Sequence, residues 1–174
     1  MMDIASSTFL WEIFLKFVMG DVLRKVAKED SERGRVVHHV VENRLLIPPE
    51  IARPVISSEL EALLDKTDTI VMDGYPRNLG QLAVLDSIHS SVCFVEIAVP
   101  KEICLERIEK AKDRGVRSDD IDPVIRERGF KTFENETAPM IQAIKKRSPA
   151  SFYSVDGRKA VDAVAEDIFG WIKK

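Results

Sequence analysis

Short apolar segments alternate with helical patterns along this chain, and the alternation limits the folds that it can adopt. Three segments are rich in β-branched and aromatic residues and are apolar on both faces, as strands covered by helices require. They span Thr69–Asp73, Val92–Val99 and Ser151–Val155, and a shorter strand is predicted at Lys16–Met19. Strands that alternate with helices predict an α/β fold with a parallel sheet. We expect one domain over residues 1–174.

Apolar residues between and after these strands recur at helical spacing. One stripe follows a predicted turn at residues 32–34, a second follows the proline pair at 48–49, a third begins after Pro100 and a fourth ends the chain. Their apolar positions include Val36, Val37, Val40, Val41, Leu45, Ile56, Leu60, Leu63, Leu64, Cys104, Ile108, Val164, Ile168, Trp171 and Ile172.

Charge excludes some classes of partner. The net charge is −3, so the chain has no overall basic character that would favour nucleic acid or an anionic membrane. The apolar segment at residues 9–19 carries Glu12 and Lys16 and is too short to span a bilayer. We therefore expect no nucleic-acid or membrane partner. We also expect a cytoplasmic monomer that binds small molecules.

The segment "DGYPR" stands where an open parallel sheet binds its ligands, just beyond the carboxyl end of a strand. Asp73 ends the strand, Gly74 permits a close turn, and Pro76 stiffens the loop that presents Arg77. An ordinary strand-to-helix turn would use similar residues. Both interpretations stay open on this motif alone.

Further arginines stand at comparable positions. Arg24 lies in "GDVLR", Arg117 in "RSDD" and Arg128 in "IRER". Each alone is typical of a solvated surface charge. If they converge with Arg77 at one sheet edge, they form a cationic cluster that suits phosphate oxygens, which guanidinium groups bind bidentately.

In their order, these motifs resemble the adenylate kinase family of nucleoside monophosphate kinases. The resemblance runs from about Gly20 to the C-terminus. It implies a three-layer parallel sheet of the P-loop nucleoside monophosphate kinase type, with an NMP-binding insert at 18–47 and a short lid at 108–116. The motifs that carry it are "GDVLR", "SERG", "LLIPPEI", "DGYPRNLGQ", "RSDD", "ETAPMI" and "VDG".

The resemblance implies a phosphotransferase that converts ATP and AMP into two ADP. Arg24 and Arg77 would hold the acceptor phosphate, and Arg117 and Arg128 would bridge the donor and acceptor phosphates. Asp73 would orient water on Mg²⁺, which accompanies ATP and has no direct protein ligand. The residues implied to bind AMP are Met19, Arg24, Leu45, Leu46, Ile47, Gly74, Tyr75, Pro76, Arg77, Gln81, Arg117 and Arg128.

Other details follow from the same resemblance. Arg107, Gly157 and Lys159 would bind ATP. Gln81 would read the acceptor base, which favours AMP, with a UMP/CMP kinase as the alternative. Met19 stands where the family usually has threonine or serine. One extra residue also lies between Arg128 and "ETAP", which changes the helix register there.

The resemblance breaks at the N-terminus. Residues 1–19 contain no glycine, so the expected Gly-rich loop and its lysine are missing and the central P-loop strand is absent or replaced. We expect the strands on either side of the missing strand to lack a hydrogen-bonding partner there. An N-terminally truncated or misread chain is the first explanation. The alternative is a non-catalytic nucleotide-binding pseudokinase or scaffold descended from an adenylate kinase.

Overall fold

A computed structural model describes residues 15–43, 45–67, 69–88, 92–111 and 122–173. Four short strands alternate with eight α-helices in this part of the chain. A π-helical turn and a 3₁₀ turn complete the order. The elements are β1 Leu15–Val18, α1 Met19–Val26, α2 Glu32–Glu42, α3 Pro49–Leu64, β2 Ile70–Asp73, α4 Leu79–Ile88, β3 Phe94–Ala98, α5 Lys101–Ala111, α6 Pro123–Thr132, the π turn Phe133–Thr137, α7 Ala138–Arg147, the 3₁₀ turn Pro149–Ser151, β4 Phe152–Asp156 and α8 Val161–Ile172.

All strand pairing in the described residues is parallel. β1 pairs with β2 from Leu15↔Ile70 to Val18↔Asp73. β3 pairs with β4 from Phe94↔Phe152 to Ala98↔Asp156. These are two separate two-stranded sheets, so no described strand bonds β2 to β3. The α/β fold with parallel strands is confirmed.

The predicted strands are confirmed within one or two residues, with two differences in the adjoining helices. Met19, predicted as the last residue of a strand, begins α1. The predicted turn at residues 32–34 is the first turn of α2. This helix begins early because Ser31 caps it, its Oγ accepting a hydrogen bond of 3.0 Å from the amide of Gly34.

The main hydrophobic core lies around the β1–β2 sheet. Helices α1, α2 and α3 pack their apolar side chains against these strands, and Phe17, Val37 and Ile56 are each no more than 1% exposed. The buried members are Phe17, Met19, Val26, Val37, Val40, Ile47, Ala52, Val55, Ile56, Leu60, Tyr75 and Leu85.

A smaller core lies between α4, α7 and the β3–β4 sheet. Its buried members are Leu82, Met140 and Ile144, and Phe94 of β3 packs against both cores. The prediction that each strand is covered on both faces is wrong for β3, where Val95 and Ile97 are exposed. Among the described residues, α8 packs on β4, and Val95 and Ile97 lie on β3 where these residues leave them exposed.

The π turn joins α6 and α7 within one helical rod. Here the amide of Ala138 bonds the carbonyl of Phe133, five residues earlier instead of four. A π turn accommodates one additional residue in an α-helix. The extra residue noted between Arg128 and "ETAP" falls in this segment, so the rod continues without a break. None of the helices described is long and apolar enough for a membrane span.

Candidate functional site

The carboxyl ends of β1 and β2 meet at the Val18–Asp73 pair. Gly74 follows Asp73 directly, and Gly20 lies two residues after Val18. Gly74 has φ of 78°, a conformation that side-chain-bearing residues rarely adopt, and the Tyr75–Pro76 peptide is cis. A Cβ built on Gly74 would lie 3.2 Å from Nη2 of Arg77 and 3.7 Å from Cβ of Met19. The turn therefore needs glycine both for its backbone and for the guanidinium that folds over it.

Arg24 and Arg77 lie at this same edge. Nη1 of Arg24 is 3.2 Å from the Cβ position of Gly20, the neighbour of Met19. Arg24 forms a salt bridge with Asp21, and its side chain is 41% exposed. Nε of Arg77 donates a 3.0 Å hydrogen bond to the carbonyl of Gly74. The structure thus brings together two of the four predicted arginines.

Gln81 connects two loops beside these arginines. Its side chain is buried, with Oε1 accepting from the amide of Arg77 at 2.8 Å and Nε2 donating to the carbonyl of Ile47 at 3.2 Å. Ile47 is buried, Leu46 is half-buried and Leu45 is exposed, so the loop they form has one anchored end. The predicted base-reading glutamine therefore joins the 45–47 loop to the 74–77 loop.

Tyr75 reinforces this junction. Its hydroxyl donates a 2.9 Å hydrogen bond to the backbone carbonyl of Gln81. Burial raises the pKa of Tyr75 to about 12, against the opposing positive charge of Arg53. The phenol consequently keeps its proton, and its hydrogen bond, throughout the physiological pH range.

Of the other two predicted arginines, only Arg128 lies among the described residues, and its side chain contacts Asn43. Nη1 of Arg128 donates to the side chain of Asn43 at 3.0 Å and to its carbonyl at 3.3 Å. Asn43 ends α2, two residues before Leu45, so Arg128 lies on the side of the 45–47 loop. Arg117 falls outside the described residues, as does most of the predicted lid at 108–116.

Two of the three predicted ATP-binding residues, Arg107 and Gly157, meet at the carboxyl ends of β3 and β4. Nη2 of Arg107 donates to the carbonyl of Gly157 at 2.7 Å, and the amide of Gly157 donates to the carbonyl of Ala98 at 2.9 Å. Lys159 points to the last helix, where it bonds Asp167 at 2.6 Å. Arg107 and Gly157 are thus in direct contact across 50 residues of chain.

A sequence model of the adenylate kinase family matches residues 9–149. The chain belongs to this family. The adenylate kinase of Parvibaculum lavamentivorans is 31% identical to it over 86% of this chain and 75% of that protein. The adenylate kinase of Flavobacterium johnsoniae is 31% identical over 84% and 78%, and Adenylate kinase 1 of Schistosoma mansoni is 27% identical over 86% and 75%. The family match begins at residue 9, whereas the motif resemblance begins at about Gly20.

Membership of the adenylate kinase family makes the chain a nucleoside monophosphate kinase-type phosphotransferase, which confirms the predicted enzyme class. Proteins of this kind bind nucleotides through positively charged groups that hold phosphates. In this chain, the described residues contain no cluster of three or more His, Cys, Asp or Glu side chains that would hold a metal ion. Asp73 stands alone and exposed at the end of β2.

Two residues of the site were missed in the sequence. Asn78 accepts a 2.8 Å hydrogen bond from the amide of Gln81 through Oδ1, a helix-capping contact that its position before α4 could have indicated. Thr137 donates from Oγ1 to the carbonyl of Arg77 at 2.8 Å. No local pattern could have found that second contact, since 60 residues separate its partners.

Proposed function

We propose that this chain binds AMP as the phosphoryl acceptor and ATP as the donor of the reaction ATP + AMP → 2 ADP. The observation that carries the proposal is the pair of arginines at the carboxyl edge of the β1–β2 sheet, beside two loops that Gln81 joins. Membership of the adenylate kinase family supports the reaction class.

The acceptor phosphate occupies the edge between Gly20 and Gly74 in this proposal. The guanidinium groups of Arg24 and Arg77 lie over these glycines, each 3.2 Å from the glycine's Cβ position. An incoming phosphate competes with Asp21 for Arg24 and with the carbonyl of Gly74 for Arg77. Phosphate is the better partner because it carries more charge and accepts bidentate hydrogen bonds.

The acceptor base lies against the 45–47 loop. Gln81 uses one amide hydrogen on Ile47 and one lone pair of Oε1 on Arg77. An amide group has a second hydrogen and a second lone pair, so it can still donate to and accept from the edge of a base. We propose adenine over uracil or cytosine, with Leu45, Leu46, Tyr75, Pro76 and Met19 forming the walls.

The donor site lies at the carboxyl edge of the β3–β4 sheet. Arg107, Gly157 and Lys159 flank the adenine of ATP, while Arg117 and Arg128 stabilise the phosphates during transfer. Mg²⁺ keeps most of its water and takes few protein carboxylates, which fits the single exposed Asp73. When bound with ATP, the ion neutralises charge on the phosphate oxygens.

A second candidate function rests on the sequence before Gly20. These residues hold no glycine, and the 174 residues contain no Gly-Lys-Ser/Thr loop that would cradle the donor phosphates. A chain with the acceptor site alone binds AMP without transferring phosphate, as a nucleotide-binding scaffold. In either case we propose a cytoplasmic monomer that acts on free nucleotides and binds neither nucleic acid nor membranes.

Calorimetric titration with AMP, CMP and UMP tests the acceptor site. We expect AMP to bind most tightly. Gln81→Ala should weaken AMP binding by roughly 1–3 kcal/mol, because a buried group of the site loses its partner. Equal affinities for AMP and CMP would refute the adenine assignment.

The arginine pair has a matched control in Arg35, whose side chain is 72% exposed. Arg24→Ala and Arg77→Ala should each weaken AMP binding strongly, whereas Arg35→Ala should not change it. An equal effect of the control would show that net charge, not the site, decides affinity.

A coupled assay of ADP formation then separates the two candidate functions. We expect slow turnover from the 174-residue chain and faster turnover when residues 1–14 are replaced by a strand, Gly-rich loop and helix from a relative. A folded replacement that binds AMP and stays inactive would support the scaffold. Rapid turnover by the unmodified chain would reveal a donor-phosphate site of another kind.

A further inference from the structure

The helical rod formed by α6, the π turn and α7 contacts both sides of the proposed acceptor site. Arg128 of α6 reaches Asn43, which lies next to the 45–47 loop. Thr137, the last residue of the π turn, reaches the carbonyl of Arg77 in the 74–77 loop. The rod therefore contacts both the loop proposed to bind the acceptor base and the loop proposed to bind the acceptor phosphate.

The π turn decides whether both contacts can form. Nine positions separate Arg128 from Thr137, and 100° per residue in an ordinary α-helix would place them about 180° apart, on opposite faces. A π turn absorbs one residue without the corresponding rotation, which reduces the angle to about 80°. The π turn therefore cancels the rotation that the extra residue would otherwise add, so one side of the rod presents both groups to the site.

The hydrogen bond of Thr137 is unusual for a threonine inside a helix. Such hydroxyl groups ordinarily bond the carbonyl three or four residues earlier in their own helix. Thr137 instead donates at 2.8 Å to Arg77, whose amide is held by Gln81 and whose Nε is held by Gly74. The carbonyl of Arg77 is thus the point at which the rod fixes the phosphate loop.

We propose that Thr137 is a positioning residue for Arg77, and that the π turn sets the rotation that lets Thr137 act together with Arg128. The proposal rests on the proposed function in that Arg77 is taken to bind the acceptor phosphate. It assigns a role in that function to Thr137, which touches no substrate, and to the π turn, which sets the orientation of Thr137.

Three substitutions separate positioning from simple packing. Thr137→Val removes the hydroxyl and keeps the shape, Thr137→Ser keeps the hydroxyl, and Thr132→Val removes a hydroxyl from the same rod five residues earlier. We expect Thr137→Val to lower AMP affinity by roughly 3- to 10-fold, the usual consequence of losing one hydrogen bond. Thr137→Ser and Thr132→Val should bind AMP as the parent does.

Amide hydrogen exchange without nucleotide provides a readout that does not depend on AMP binding. Thr137→Val should speed exchange at the amides of Gly74, Tyr75, Arg77 and Asn78, while those of α7 stay protected. Unchanged exchange in this loop would overturn the proposal. If the parent bound no AMP, the proposed function would fail, and the exchange comparison would still decide whether Thr137 positions the loop.

Deletion of the exposed Asn135 tests the rotation. Arg128 and the threonine would then lie eight positions apart in an ordinary α-helix, which again gives about 80°. The deleted chain should therefore keep the threonine contact and bind AMP about as the parent does, and adding Thr137→Val to the deletion should lower AMP affinity as it does in the parent. A large loss of AMP affinity on deletion, with no further effect of Thr137→Val, would overturn the role of the π turn. If the deleted chain fails to fold, the substitutions and the exchange experiment still decide the role of Thr137.

Discussion

Phe17 on β1 is 1% exposed and Ile97 on β3 is 56% exposed, although both lie on short strands in parallel pairs. Among the described residues, the β1–β2 pair is packed by three helices in a core of twelve buried residues, whereas the β3–β4 pair has a core of three. Pairing mode and burial are therefore separate properties. A parallel pair is stable as part of a sheet only to the extent that other elements cover it.

The same contrast extends to the two halves of the proposed active site. Beside β1 and β2, the site loops are joined to the core by the buried Gln81. Beside β3 and β4, Arg107 donates a part-buried hydrogen bond to the carbonyl of Gly157, whereas Lys159 pairs with Asp167 in an exposed contact that is weak because solvent screens it. We infer that the acceptor half is preorganised and that the donor half depends more on what covers β3.

The largest expected effect tests the difference in burial directly. Phe17→Ala should lower the free energy of unfolding by about 3–5 kcal/mol, because it leaves a cavity in the main core. Ile97→Ala, its control on the exposed face of β3, should change it by less than about 1 kcal/mol. Urea denaturation measures both. An equally large effect of Ile97→Ala would show that this face is covered in solution.

Alanine substitutions at two glycines should change the free energy of unfolding in opposite directions. A Cβ on Gly34 would lie 2.1 Å from the carbonyl oxygen of Glu29, so Gly34→Ala should destabilise the fold by about 1–3 kcal/mol. Gly170 in α8 has nothing within 4 Å of its Cβ position, so Gly170→Ala should stabilise by about 0.5–1 kcal/mol. Thermal unfolding of both variants checks the signs, and a loss of stability for Gly170→Ala would contradict the open surroundings.

Helix capping should give smaller effects, which we again test with one destabilising and one stabilising substitution. Ser31 caps α2 through its hydroxyl, so Ser31→Ala should cost about 1 kcal/mol. Ala160 precedes α8 and supplies no side-chain cap, so Ala160→Ser should gain up to about 1 kcal/mol. Denaturant midpoints measure both. No gain at Ala160 would indicate that the end of α8 is limited by packing and not by capping.

The smallest effect concerns the exposed turn after β4. Hydrogen bonds from the Arg158 side chain and backbone lower the pKa of Asp156 from 3.8 to about 2. A lowered pKa in the folded state means that this carboxylate stabilises the fold above about pH 4 and loses that contribution as the pH falls toward 2.

Asp156→Asn should therefore weaken the fold slightly at neutral pH and have progressively less effect as the pH falls below about 2, where the parent carboxylate becomes protonated as well. Urea midpoints at several pH values measure this. Arg158→Gln is the matched variant, since it removes the guanidinium but keeps the backbone hydrogen bond, and it should give a pH profile of the same shape with a smaller amplitude. A uniform loss at every pH would attribute the effect to the turn backbone instead.

The sequence alone determined the strands and the turn at the end of β2. The order of its motifs also indicated membership of the adenylate kinase family. These features are local. Apolar residues in short runs define β1 to β4, and "DGYPR" defines its turn because glycine and proline restrict the backbone within a few residues. The extra residue before "ETAP" was visible for the same reason, although its conversion into a π turn was not.

Only the tertiary structure decided how these segments serve one another. Arg128 meets Asn43 across 85 residues, Thr137 meets Arg77 across 60, and Gln81 meets Ile47 across 34. A pattern read along the chain carries no information on such distances, because each contact depends on the rotation and packing of whole helices. Exposure of Val95 and Ile97 was hidden for the same reason: an apolar strand sequence shows that a face can be covered, and only its neighbours in space determine whether it is.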